Sequence, residues 1–220
     1  MLFQCDLASE MKLFQGEYSS SLNSMDLYDT ELPLTHSSAH GGTMIMWKIE
    51  LDPYVTVITV DSFSFLPIVF SPRGGQRSIH VAVYLPTHGK DSEFLEQLTK
   101  LIFCIDNLRE QYPEAPLYLR GDFNVNNNNH SRTILFRHQC YNQDLNCIPI
   151  KHATYHHFLG DGLYDSHLDK LMYSKTVRFP EILTKNICKF SNPLVNSHHD
   201  LIISKWKSLI FEECQIQSYL

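Results

Sequence analysis

A layered α/β sandwich is the fold this sequence predicts, on three observations. Short β-rich runs separated by turn signals cluster between positions 43 and 85. One long amphipathic helix follows them. A buried strand then runs into Gly121-Asp122-Phe123-Asn124, with further short strands beyond it. Strands in two groups with helices outside them pack as layers, because each sheet has a face to bury and each helix a stripe.

The elements follow in chain order. Residues 17–42 (EYSSSLNSMDLYDTELPLTHSSAHGG) are polar, turn-rich and without a sustained period, and read as a long surface loop. Thr43–Lys48, Val55–Val60, Phe65–Phe70 and Ser78–Leu85 are rich in Val, Ile, Thr and Phe. Asp52-Pro53, Ser71-Pro72 and Gly74-Gly75 punctuate them, which predicts an antiparallel meander. Phe94, Leu98, Leu101, Ile102, Ile105 and Leu108 recur at three- and four-residue spacing and line one helix face. Asp91 or Ser92 can cap that helix, Glu93 and Glu96 suit the positive end of its dipole, and Tyr112-Pro113 ends it. Leu117-Tyr118-Leu119 is the buried strand, Ser131 to Cys140 a weaker helix, and the Asn126–Asn129 run a loop. Leu168–Ser174 and Asp200–Ser204 read as the last strands. The expected organisation is an irregular segment over 1–38, one domain over 39–206 and a tail over 207–220.

Composition narrows the classes. A chain of 220 residues with 43% hydrophobic content suits one folded domain and excludes a disordered one. The longest uncharged stretch, between Ser62 and Arg73, is broken by Pro67 and Pro72, well short of the roughly 20 apolar residues of a membrane helix. No signal peptide is legible in MLFQCDLASEMKLF. The 6 cysteines are scattered without a CxxC pair and read as free thiols of a reducing, intracellular compartment. The sequon Asn129-His130-Ser131 reads as chance. With a formal net charge of -6, the field of the whole protein lends nucleic-acid binding no support.

Four places carry chemistry. Asp122 and Asn124, two apart at a strand end, suit phosphate chemistry: a carboxylate orients a water, an amide donates to a phosphoryl oxygen. A Gly-Asp turn with an Asx cap reads equally well. His199, with Asp200 beside it before an apolar strand, is a general acid or base, or else a solvated loop histidine. Asp169 opens another apolar run and is a partner for that histidine, or a plain strand-edge aspartate. Tyr84 ends a buried strand, where its phenol either donates to a phosphate or completes the core.

Read in order, YLP, GDFN, TYHH, SHLDKLMYS and NSHHD, with AHGGTMIMWK ahead of them, form a set that resembles the endonuclease/exonuclease/phosphatase superfamily. Within it they resemble the endonuclease domain of non-LTR (LINE-type) retrotransposons, over residues 39–204. The resemblance implies a four-layered α/β sandwich, two mixed or antiparallel sheets flanked by helices. It implies Mg²⁺- or Mn²⁺-dependent phosphodiester hydrolysis on DNA by a monomer, in the nucleus when active. By resemblance His199 is the catalytic histidine and Asp169 its orienting aspartate. Asp122 orients or deprotonates the attacking water, Asn124 stabilises the transition state, and Tyr84 contacts the phosphate. Thr154, His156 and Asn126 fall on the substrate side, and Asp122 and His198 are the metal candidates.

Two departures qualify that expectation. The superfamily's terminal motif is Asp-His, and here His198 stands in the aspartate's place, with Asp200 following. The pattern also opens with a strand carrying Asn and another ending in Gln-Glu, whose Glu is the principal metal ligand. Glu10, Glu17 and Glu31 are the acids near the start of this chain, and none follows a β-rich run or a Gln. The sequence therefore predicts a sandwich truncated at its N-terminal side, missing its opening strands, with an unpaired edge and marginal stability. Three functions stay open: a nicking endonuclease impaired by that loss, an inactive truncated remnant, and a histidine-rich metal-binding or interaction module suggested by His156-His157 and His198-His199.

Overall fold

The parallel pair at the centre of the main sheet organises the molecule. The computed structural model describes residues 18–23, 43–87, 89–126, 130–150, 153–159, 162–175, 183–188 and 201–205. Its strands are β1 (Tyr18–Asn23), β2 (Thr43–Lys48), β3 (Val55–Val57), β4 (Phe65–Phe70), β5 (Ser78–Tyr84) and β6 (Leu117–Asp122). After them come β7 (Leu145–Cys147), β8 (Tyr155–Leu159), β9 (Gly162–Ser166), β10 (Asp169–Ser174), β11 (Leu183–Cys188) and β12 (Leu201–Lys205). Helix α1 (Asp91–Gln111) joins β5 to β6, α2 (His130–Asn142) joins β6 to β7, and a 3-10 segment (Ile49–Tyr54) joins β2 to β3.

One six-stranded sheet has the order β3-β4-β5-β6-β10-β7. Only β5 and β6 run parallel in it, because a helix-length crossover separates them; β3-β4-β5 form the expected antiparallel meander. The pairs β1-β2, β8-β9 and β11-β12 are antiparallel two-stranded sheets.

Alternation along the strands divides the sheet into two faces. Phe65 and Val69 of β4, Ile79, Val81 and Val83 of β5, Leu117 and Leu119 of β6 and Met172 of β10 share one face. They form a buried cluster with Phe94, Leu98, Leu101, Ile105 and Leu108, the stripe of α1 that the periodicity predicts. Ile79, Val83 and Ile105 have no exposed surface at all. The opposite face carries Leu66, Ile68, His80, Tyr118, Arg120 and Leu171, and β2 packs across its β4–β5 side. Helices on one face and a second small sheet on the other give the layered α/β sandwich.

Several expectations change. Tyr18–Asn23, within the segment read as loop, is a strand paired along its whole length with β2. A serine-rich run has little β propensity of its own, so pairing with a partner strand decides its conformation. The Thr43–Lys48 run joins that small sheet rather than the meander. Neither Asp91 nor Ser92 caps α1: the N-cap position is Lys90, without a side-chain cap bond. Asp91 instead accepts from Arg132 Nε at 2.7 Å, so a tertiary ion pair has taken the carboxylate that a local cap would use.

The inner face is polar at its centre. Arg120 donates to His80 Nδ1 at 2.9 Å, and since guanidinium only donates, the imidazole proton sits on Nε2, 2.9 Å from Ser78 Oγ. The Tyr118 ring stacks on His80 at 5.1 Å between centroids. Burial, reinforced by the Arg120 charge, holds the His80 pKa well below its ordinary 6.5. The unfolded chain therefore binds a proton that the folded chain refuses once the pH falls below about 6.5. This site's contribution to stability is complete above that pH and is lost as the pH falls towards the folded pKa, at up to about 1.4 kcal/mol per pH unit. Denaturant titrations at pH 7 and pH 5 are expected to show a steeper loss of stability for the natural chain than for His80→Gln; equal losses would refute the assignment.

Candidate active site

Strand register assembles the site. Tyr84, the last residue of β5, is the register partner of Asp122, the last of β6, and Asp122 is the partner of Asp169, the first of β10. Three residues that lie far apart in sequence thus form one row across neighbouring strands, on the face away from the helices. Asp122 and Asp169 are each 3% exposed, so two carboxylates sit side by side in a nearly dry place.

Local chemistry fixes Asp122. Its Oδ1 accepts the Asn124 backbone N–H at 2.8 Å and its Oδ2 accepts Asn124 Nδ2 at 3.1 Å. The same amide donates to the Leu85 carbonyl at 2.7 Å, tying the end of β6 to the residue after Tyr84. Asn124 adopts φ +48, the left-handed conformation that asparagine tolerates best after glycine. The Asx turn and the site geometry are therefore one and the same arrangement, not alternatives. The Leu85 N–H bonds the Asp122 carbonyl at 2.9 Å, and Phe123 N–H bonds the Leu168 carbonyl at 3.1 Å, extending both ladders past the row.

Gly121 explains the first letter of GDFN. It has φ +144, and a Cβ there would lie 1.8 Å from the Val83 carbonyl oxygen. Only glycine lets the β5 backbone come this close.

Arg132, buried in α2, holds the loop after β5. It donates to the Pro86 and Thr87 carbonyls at 2.8 and 2.9 Å and lies 4.2 Å over the Phe94 ring. The loop that carries Leu85 is thus anchored to both helices.

Other expected residues lie nearby. Thr154 is fully buried, and its Oγ1 accepts the Asp169 backbone N–H at 3.2 Å. It secures the start of β10, where the resemblance implied a contact to substrate. Asn126 donates to Tyr164 Oη at 3.0 Å, linking the GDFN loop to the β8-β9 hairpin. On that hairpin His156 and Asp165 are register partners, 2.7 Å apart between Nδ1 and Oδ1. His198, His199 and Asp200 lie outside the described residues.

Two neighbours of the carboxylates were not singled out by sequence. The Tyr155 phenol has its pKa raised by burial first and then by Asp122 and Tyr164. Lys170 has its pKa lowered by burial, opposed by Cys147, Asp169 and Asp122, and its Nζ donates to the His167 carbonyl. Adjacency to TYHH and to Asp169 was the available signal for both.

Asp122 and Asp169 are hard oxygen donors, and Mg²⁺ needs only one or two carboxylates beside its waters, so the residues present fit such a cation. Among the described residues no group of three or more His, Cys, Asp and Glu comes together to hold a metal. The histidine-rich reading thus draws no support from them, and a full set of ligands for Mg²⁺ would draw on residues beyond them.

The structure matches the endonuclease domain of TRAS1, a telomere-specific non-LTR retrotransposon, with a TM-score of 0.55 at 13% identity, over 92% of this chain and 91% of that one. The mannosyl-6-phosphatase Bt3783 of Bacteroides thetaiotaomicron matches with a TM-score of 0.49 at 13% identity, over 78% of this chain and 69% of that one. TDP2 from C. elegans matches with a TM-score of 0.47 at 14% identity, over 79% of this chain and 52% of that one. No family model matches the sequence, and no curated protein matches it. The fold is like that of a retrotransposon endonuclease domain.

Gly121→Ala is expected to destabilise the fold by at least about 2 kcal/mol, since it adds a backbone clash to a strained φ. Equilibrium unfolding checks this, and a loss within ordinary surface-substitution range would show that β5 and β6 can separate freely.

Proposed function

We propose that the chain hydrolyses phosphodiester bonds in DNA with a divalent cation, as a nicking endonuclease of retrotransposon type. The observation that carries this reading is the row of Tyr84, Asp122 and Asp169, with Asn124 locked onto Asp122, at one end of the main sheet. The likeness of the fold to a retrotransposon endonuclease domain supports it at the level of architecture.

In-line attack on a phosphodiester needs an oriented water and neutralised equatorial oxygens. Asp122, its two oxygens already fixed by Asn124, orients and deprotonates the water. Tyr84 donates its phenol to one non-bridging oxygen, and the Asn124 amide, on giving up its bond to the Leu85 carbonyl, donates to another as negative charge builds on these oxygens. Asp169 holds the imidazole of His199, which protonates the leaving oxygen. Asp122 would hold the divalent cation, with His198 as the weaker candidate, and a bound cation supplies charge neutralisation for the phosphate. Asn126 and His156 contact the strand from the GDFN loop and the hairpin.

A catalytically inactive remnant is the second reading. One sequence observation favours it: His198 stands where the resemblance expects an aspartate. Imidazole is a poor ligand for Mg²⁺, so whatever activity exists is expected to be weak.

Nicking of supercoiled plasmid by the full chain in Mg²⁺ tests the proposal. Asp122→Asn, Asn124→Ala and His199→Ala are each expected to reduce the rate about 100-fold or more, and chelation to abolish it. A natural chain that nicks no faster than these variants would leave the remnant reading in its place.

A further inference from the structure

On the helix side of the same sheet end lies a cleft of about 520 Å³, bounded by α2, the edge strand β7, the GDFN loop, the foot of the hairpin and β10. The volume is that of a small-ligand site. None of Tyr84, Asp122 or Asn124 lines it, so it is a separate compartment beside the row.

Its lining is two-sided. Val125, Phe136 and Leu145 are buried and make an apolar floor. Arg137, Lys170 and Lys175 supply three cations, against Asp165 as the one carboxylate of the lining, and His156 already holds that carboxylate at 2.7 Å. The whole chain has 24 acidic and 18 basic residues, so the cleft inverts the general balance. Lys175 lies 3.3 Å from Asp144, but both side chains are exposed, and such a pair holds a cation only loosely.

Two details narrow the ligand. Tyr141 lines the cleft yet is 74% exposed, with Lys175 Nζ 5.3 Å above its ring. An exposed aromatic ring with a cation against it is a platform for a flat base. Lys170 lines the cleft and follows Asp169 on β10, so it stands at the junction of cleft and row. A ligand with a flat apolar part and a phosphate matches floor, platform and cations together.

We propose that this cleft is a nucleotide subsite, taking one nucleotide next to the phosphodiester held at Asp122, its base on Tyr141 and Phe136 and its phosphate on Lys170 and Arg137. The inference rests on the phosphodiesterase reading for the origin of the ligand, and its test does not depend on catalysis.

The test is a titration of the metal-free full chain with thymidine 5′-monophosphate, followed by NMR shifts and calorimetry, with inorganic phosphate as the control. The nucleotide is expected to bind at least 5-fold tighter than phosphate and to shift resonances of Tyr141 and Arg137. Arg137→Glu, at an exposed position where the fold tolerates change, and Lys170→Ala are each expected to weaken it at least 5-fold. A nucleotide that binds no tighter than phosphate, or with undiminished affinity to Arg137→Glu, overturns the proposal. Displacement by a short oligothymidylate at lower concentration than the free nucleotide assigns the occupant to a nucleic-acid strand; equal displacement assigns it to a free nucleotide. Active nicking without nucleotide binding removes the subsite and leaves the hydrolytic reading, whereas binding without nicking removes the hydrolytic reading and leaves the subsite.

Discussion

The missing side chain at position 121 governs the geometry of the site end. With a would-be Cβ 1.8 Å from the Val83 carbonyl, β5 and β6 can run in register to their last residues only because Gly121 is bare. That register puts Tyr84 beside Asp122, and the antiparallel register of β10 adds Asp169. The neighbouring bonds then follow: Leu85 N–H to the Asp122 carbonyl, and Asn124 Nδ2 back to the Leu85 carbonyl. A shift of one residue in either pairing would turn the row to the helix side, because strand side chains alternate with period two.

Burial of polar groups is the second constraint, and it is met differently at the two ends of the inner face. At the centre, Arg120 donates to His80 with the imidazole neutral, so a single net charge is enclosed. At the site end Asp122 and Asp169 are both buried, as register partners on neighbouring strands. Asn124 bonds both oxygens of Asp122, and Thr154 pins the Asp169 backbone.

The sequence was legible where one physical rule dominates. The stripe of α1 follows from helical period: five of its six members are buried, Ile102 is partly buried, and Gln97 and Cys104 join the buried face. GDFN and the Asp169 strand were legible because strand ends present side chains, and the structure joins them through register. Elements decided by partners were not legible. The strand at Tyr18–Asn23 has a serine-rich sequence and exists through its pairing with β2. Asp91 looks like a cap until Arg132, 41 positions away, claims it. Thr154 reads as a substrate contact until its hydroxyl is found inside the fold on Asp169 N–H. Such roles depend on contacts between distant positions, which local pattern does not encode.

Charge links the site to the molecule around it. A chain of net charge -6 repels a polyanion at long range, so approach to nucleic acid has to rely on short-range features. At physiological ionic strength, screening over about 8 Å confines that repulsion to the surface layer and lets a few local cations act on their own. Arg137, Lys170 and Lys175 lie together along one cleft adjoining the carboxylates. Three phosphate contacts would give an affinity falling with salt at a logarithmic slope of about -3, far shallower than that of a basic DNA-binding surface. On the proposed reading, selectivity would come from the shapes of the hairpin and the cleft, because too little general attraction exists to retain a wrong substrate.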